Sequence, residues 1–270
     1  MSHYWRHPAV AHIEIRNVVD GRGFSHEPHA HATFSIGAII GGRSTYLNGH
    51  HTREIGAGSL VLINPGVVHA CNPLTEEPWA YRMFYVDATW LATLQRPSGT
   101  STQAAFQPFA EQYSDDAQLF AGLEQLYRQL TAPAASAGEL QAAAREYFQQ
   151  LLRRLTPSAQ PPVQDKLLRA AELIRQRCLQ PLPLEEIGAA VQLSPSYLIR
   201  AFKAQYGLTP HGYLIDCRLQ LAREALRRGE PIAAVAAQAG FADQAHLQRQ
   251  FKRALAATPG QYRRPSVQQH

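Results

Sequence analysis

The chain has 270 residues, enough for two hydrophobic cores, and its 45% apolar and 17% charged content is ordinary for a globular protein. No stretch approaches the roughly 18 consecutive apolar residues of a membrane-spanning helix, and Met1 to Pro8 lack the apolar run of a secretory leader. The three cysteines (Cys71, Cys178 and Cys217) form no CxxC pair and read as unpaired thiols of a reducing compartment, so the expected location is the cytoplasm with no membrane contact.

The net charge of +5 is unevenly placed. Residues 1–162 hold 11 Lys/Arg against 13 Asp/Glu, whereas residues 163–270 hold 15 against 8. A near-neutral half followed by a basic half predicts that only the second half meets a polyanion.

From Ala11 to Asp87 the apolar residues recur with period two and are punctuated by glycine. This predicts strands over His12–Val19, Thr33–Ile40, Ser44–Asn48, Ser59–Asn64 and Trp79–Val86, with turns at Gly41-Gly42, Asn48-Gly49 and Gly56-Ala57-Gly58. Short strands without intervening helices favour a sandwich or barrel. Past Thr89 the period changes to that of helices, over Gln118–Thr131 and Glu139–Leu155, which would cover one face of the barrel. The second of these helices is also a candidate for pairing with its twin in a homodimer.

Gly23, His29-Ala30-His31 and Gly42, then Gly58, Pro65-Gly66 and His69, resemble the two cupin motifs. In metal-binding cupins two histidines, a glutamate and a later histidine point into the barrel. Here His29, His31 and His69 match three of those positions, while the glutamate position falls at about Ser35, a poor metal ligand. Three readings stay open: a pocket that hydrogen-bonds a small molecule, a fold-determining remnant, or a metal held by three imidazoles. The missing carboxylate makes "no metal" and "no cofactor" the expectation. Tyr46 and Phe84 are candidates for the wall of the ligand pocket, together with Tyr81 and Tyr85. His26, His50 and His51 stand in turn-like surroundings and are expected at the surface.

Thr156-Pro157-Ser158-Ala159-Gln160-Pro161-Pro162 cannot continue a helix and coincides with the change in charge balance. The expected division is therefore 1–156 for the barrel domain, 157–163 for a linker, 164–264 for an all-α domain, and 265–270 for a disordered tail.

The all-α half contains one pattern written twice. Each copy ends in Leu-x-Arg-x-Phe-Lys, at Leu198–Lys203 and Leu247–Lys252. Ser194-Pro195 supplies an N-cap and a proline at the first helical position, and Asp243 caps the second copy. In the helices that follow, Leu198 and Phe202, like Leu247 and Phe251, fall on the inward face. Ser196, Ile199, Arg200 and Lys203 in one, and Gln244, His246, Arg249 and Lys252 in the other, fall outward. A helix of this kind fits the major groove, where Arg can donate two bonds to guanine and Gln can pair with adenine. Between the copies Gly212–Arg228 reads as a long connecting helix decorated by Arg218, Arg223, Arg227 and Arg228.

The doubled motif resembles the AraC/XylS family of bacterial transcription regulators, as do Pro210-x-x-Tyr213-Leu214-x-x-x-Arg218-Leu219-x-x-Ala222, the Gly240-Phe241 turn and Pro259-x-x-Tyr262-Arg263. The chain departs from that family at Gln192, where the first turn commonly has glycine. The resemblance implies a cupin-like effector-binding barrel with helices, followed by an all-α domain with two helix-turn-helix motifs. It also implies no catalytic residues, a small-molecule effector bound in the barrel, promoter DNA and RNA polymerase as partners, and the role of an activator. The alternatives are a metal-dependent cupin enzyme carrying a DNA-binding appendage and an effector-independent DNA binder.

Overall fold

The computed structural model describes residues 2–74, 78–96, 106–158 and 165–263. The first part is built from two antiparallel sheets. One has the order β1 (Ser2–Arg6), β2 (Ile13–Val18), β8 (Ala80–Val86), β3 (Phe34–Gly41), β6 (Leu60–Ile63) and β9 (Tyr113–Ser114). The other runs β5 (His51–Gly56), β4 (Arg43–Asn48) and β7 (His69–Pro73). Gly42 makes the crossing from β3 to β4: its φ is +74°, and a Cβ there would meet the Pro78 carbonyl at 2.5 Å, so no other residue type is accommodated without movement.

Side-chain alternation gives the larger sheet two buried faces. On one face Ile13, Ile15, Phe34, Ile36, Leu62 and Phe84 pack under α1 (Ala88–Leu94), α2 (Ala117–Leu130) and α3 (Ala137–Leu152). The helices contribute Leu119, Leu123, Leu126, Phe148 and Leu151, the stripe expected from their period. On the other face Val61, Ile63, Tyr81 and Met83 meet Tyr46 and Ile55 of the smaller sheet, so the space between the sheets is filled by side chains.

Strands β1, β5, β7 and β9 and the short helix α1 were not expected from the sequence. The reason is visible at β5, an edge strand of the smaller sheet in which only Ile55 is buried, so no alternation marks it. Strand β1 is polar and aromatic, and its Tyr4 packs into the second domain rather than into the barrel.

The second part is helical: α4 (Asp165–Gln176), α5 (Leu184–Val191), α6 (Pro195–Tyr206), α7 (Pro210–Arg227), α8 (Ile232–Gln238), α9 (Gln244–Leu255) and α10 (Pro259–Arg263). It has two cores. Leu167, Ile174, Ile187, Leu198, Phe202 and Leu214 form one, and Leu219, Leu226, Val235, Leu247, Phe251 and Tyr262 form the other. Both lie along α7, and Leu221 touches both. Most of the expected linker and all of the expected tail lie outside the described residues. No helix among the described residues is long and apolar enough to cross a membrane.

Candidate effector site and nucleic-acid interface

The expected starts of both recognition helices hold. The Ser194 side chain accepts the amide of Tyr197, and that of Asp243 accepts the amide of His246 at 2.6 Å. Gln192, standing where glycine is common, adopts the left-handed conformation with φ 54° and ψ 50°, so the turn keeps its geometry at the expense of strain. Leu198, Phe202, Leu247 and Phe251 are fully buried. Ser196, Ile199, Arg200 and Lys203 on α6, and Gln244, Arg249 and Lys252 on α9, are all exposed. His246 is half-buried, its ring 5.4 Å from that of Phe241. Apart from His246, the two outward sets thus remain exposed on their helices, and Ile199 offers an apolar contact suited to a thymine methyl.

The histidines form a cluster at the end of the barrel that faces the helical domain. The ring of His69 lies 4.5 Å from that of His29 and 4.7 Å from that of His31. Each ring is held in the same way, with Nδ1 donating to a backbone carbonyl: Glu27 at 2.8 Å for His29, Thr33 at 3.0 Å for His31, and Val67 at 3.0 Å for His69. A carbonyl only accepts, so the proton sits on Nδ1 and Nε2 presents a lone pair. Burial pushes His69 down to about 4 and holds His29 and His31 well below the usual imidazole range, so all three are neutral at pH 7. The Ser35 hydroxyl, at the position a cupin glutamate would take, reaches His31 Nε2 at 3.4 Å. Anchored imidazoles of this kind also suit a metal, but among the described residues no three His, Cys, Asp or Glu side chains are arranged to hold an ion.

Tyr46 and Phe84 are not brought to this cluster. Tyr46 is buried between the sheets, its hydroxyl donating to Leu62 O at 2.9 Å and accepting from Asn48 Nδ2. Phe84 lies on the opposite face of the large sheet, under the helices. Tyr85 is the aromatic that meets the histidines, 5.5 Å from His31. His50 and His51 are exposed as expected, but His26 is buried, with Nδ1 donating to Ala254 O at 3.2 Å and burial pushing it down to about 3.

The histidine end of the barrel rests on α7. Arg223, expected as surface decoration, is buried, with Nη2 3.4 Å from Glu14 Oε1, Nε 3.3 Å from the Tyr262 hydroxyl, and its guanidinium 5.2 Å from the Tyr85 ring. Burial works to raise the Glu14 carboxyl, but Arg6, Arg223 and Arg227 overcome it and hold the group below the usual range. About two turns earlier on α7, Asp216 accepts the Ala30 amide at 3.2 Å, and burial pushes its carboxyl up to about 7. A cavity of about 380 Å³ opens on this seam between His29, Pro28 and Glu27 on one side and His211, Asp216 and Arg253 on the other. A cavity of about 400 Å³ under β1, beside Trp5 and Tyr127, lies away from the cluster. Glu14, Arg16 and Asp216 are seam residues that sequence reasoning did not single out, and His26, Arg223 and Tyr262 were named there without this role; a charged residue inside an apolar helical stripe, as at Asp216, is the one signal that could have found them.

With both reading helices uncovered and a polar barrel end seated on the helix between them, the architecture is that of a DNA-binding transcription regulator with its own effector-binding domain. Residues 14–155 match the family model of the AraC-like ligand binding domain, and residues 187–265 match that of a helix-turn-helix domain. The chain belongs to the AraC family. It is 26% identical over 217 residues to the arabinose operon regulatory protein of Escherichia coli K12, covering 76% of this chain and 72% of that one. It is 34% identical over 99 residues to the bifunctional transcriptional activator and DNA repair enzyme Ada of the same organism, covering 37% of this chain and only 27% of Ada. In fold it is similar to wild-type ToxT from Vibrio cholerae, solved with an unsaturated fatty acid bound, with a TM-score of 0.56 at 14% identity over 93% of this chain and 94% of that one.

Proposed function

We propose that this regulator is a cytoplasmic, homodimeric activator without enzymatic activity. Its 1–156 domain takes a small effector, and its 164–264 domain reads promoter DNA through Ser196, Ile199, Arg200, Lys203, Gln244, His246, Arg249 and Lys252. The observation that carries the effector assignment is the trio of neutral imidazoles whose Nδ1 atoms are already used. The Nε2 atoms of His29 and His69 can only accept, while that of His31 is already met by the Ser35 hydroxyl at 3.4 Å, so the effector is a compound that offers hydroxyl or amino hydrogens, and it enters beside His29 through the cavity on the seam. Tyr46 and Phe84 then support the barrel rather than touch the effector. The activator role, with RNA polymerase as partner, is supported by the open reading faces: the docked chain can occupy a promoter without first releasing its barrel.

Thermal unfolding with a panel of sugars, polyols, amines and fatty acids tests this. A hydroxylated or amino ligand at about 100 times its dissociation constant should stabilise the chain by about 2.7 kcal/mol. The gain should vanish in His69→Ala and His29→Ala. A stabilising ligand whose effect survives both substitutions, or stabilisation by fatty acids alone, contradicts the assignment.

A further inference from the structure

The barrel touches the C-terminal ends of both recognition helices. At the end of α6, Gly207 is in the left-handed conformation with φ +74°, and its Cα lies so close to the barrel that a Cβ there would fall 2.8 Å from Val68 Cβ. At the end of α9 the carbonyls left without helical partners are taken up by the barrel one after another. The Glu27 amide donates to Arg253 O at 3.0 Å, His26 Nδ1 to Ala254 O at 3.2 Å, and Arg16 Nη1 to Leu255 O at 2.6 Å. Helix ends expose such carbonyls, and a guanidinium there also meets the negative end of the helix dipole. Between these two points α7 is pinned by the Ala30 amide on Asp216 and by Glu14 on Arg223.

Within the helical domain the two motifs have separate cores that share only α7. Among the described residues, the motifs meet beyond α7 only where the segment after α4 abuts the second motif's turn, at Leu179 and Gly240, so their relative setting depends on one helix and one small contact unless something else spans them. We propose that the barrel is this spanning element: by abutting α6 through Val68 and capping α9 through Arg16, His26 and Glu27, it fixes the distance and tilt between the two recognition helices, and so selects the spacing of the two DNA segments read by one chain. Arg16 and Val68 are positioning residues that touch no base. Apart from Arg16 and Glu14, these contacts lie at or beside a histidine: His26, whose ring is 5.8 Å from that of His29, Glu27 next to it, Ala30 between His29 and His31, and Val68 before His69. Resting on the effector assignment above, this makes occupancy of that site a change in the setting of both helices at once.

The test is the tolerance of the full chain to altered spacing. A duplex is selected from a random library with the wild-type chain, and the two contacted segments are located by footprinting. One or two base pairs are then inserted or removed between them. Each base pair turns the second segment by about 35° around the DNA axis, so the wild-type chain should lose at least tenfold in affinity per base pair. Arg16→Gln should lose less than threefold on the same duplexes, and Val68→Ala, which trims the contact without stranding a polar group, should broaden tolerance in the same direction. Retention of the tenfold discrimination by both variants overturns the proposal, and so does a wild-type chain indifferent to spacing. Should Arg16→Gln fail to fold, Val68→Ala decides alone. A wild-type chain that selects no duplex overturns the DNA reading itself, whereas an effector effect that fails the histidine substitutions leaves the spacing result standing.

Discussion

Arg223 of α7 and Glu14 of β2 meet across the two domains, Nη2 to Oε1 at 3.4 Å, with their side chains 6% and 5% exposed. Glu14 is also bound by Arg6 Nε at 2.6 Å and by the Tyr262 hydroxyl at 2.9 Å, so one carboxylate gathers cations from both parts of the chain. Removing one member of a buried pair strands the other, at a cost of about 3–5 kcal/mol. Glu14→Gln, which keeps the shape and loses the charge, should therefore destabilise the full chain by that amount, measured as a shift in the urea midpoint. A change under about 1 kcal/mol would show that the seam opens readily and that the three arginines find water instead.

The histidine cluster sets an acid limit. Burial depresses His69 to about 4 and His26 to about 3, with His29 and His31 also held well below the ordinary value. Below about pH 6.5 the unfolded chain takes up protons that the folded rings refuse. Stability is therefore complete above that pH and is lost as pH falls toward the folded values, by about 1.4 kcal/mol per pH unit for each ring. Asp216, pushed up to about 7, has the opposite sign: its contribution is present below the unfolded carboxyl value and is lost as pH rises to 7, so it offsets one histidine in the same interval. The net expectation is a steep loss between pH 6.5 and pH 5 in urea titrations, made shallower in His69→Gln. A flat profile over that interval contradicts buried neutral imidazoles.

Gln192 in its left-handed turn offers a substitution that should stabilise. A non-glycine residue in that conformation carries roughly 1–2 kcal/mol of strain, part of which glycine returns through its greater freedom when unfolded. Gln192→Gly should raise stability by about 0.5–1 kcal/mol without changing DNA affinity, because the Gln192 carbonyl that accepts Lys166 Nζ at 3.2 Å is retained. A loss of stability would mean that the Gln192 side chain has a role of its own.

The helical domain was the most legible part of the sequence. Caps, prolines and the inward Leu and Phe positions are local signals, and α6 and α9 begin where Ser194-Pro195 and Asp243 place them. The convergence of His29, His31 and His69 was legible through their resemblance to the cupin motifs, but what surrounds them was not. In β2 the order Ile13-Glu14-Ile15-Arg16 reads as a strand with one wet face, yet that face is covered by a domain more than 200 residues further along the chain. Phe84 failed for a related reason: alternation tells which residues share a face, not which of two buried faces is the inner one.

The central claim is that two open helices read DNA through Arg200 and Arg249. Footprinting of the selected duplex with the Arg200→Ala, Arg249→Ala double variant tests it most directly. Each arginine that reads a base should contribute about 1–3 kcal/mol, so the pair should cost on the order of 100-fold in affinity and abolish protection of both segments at concentrations that saturate the wild-type chain. Protection of the same segments at wild-type concentrations by a folded double variant would contradict the account.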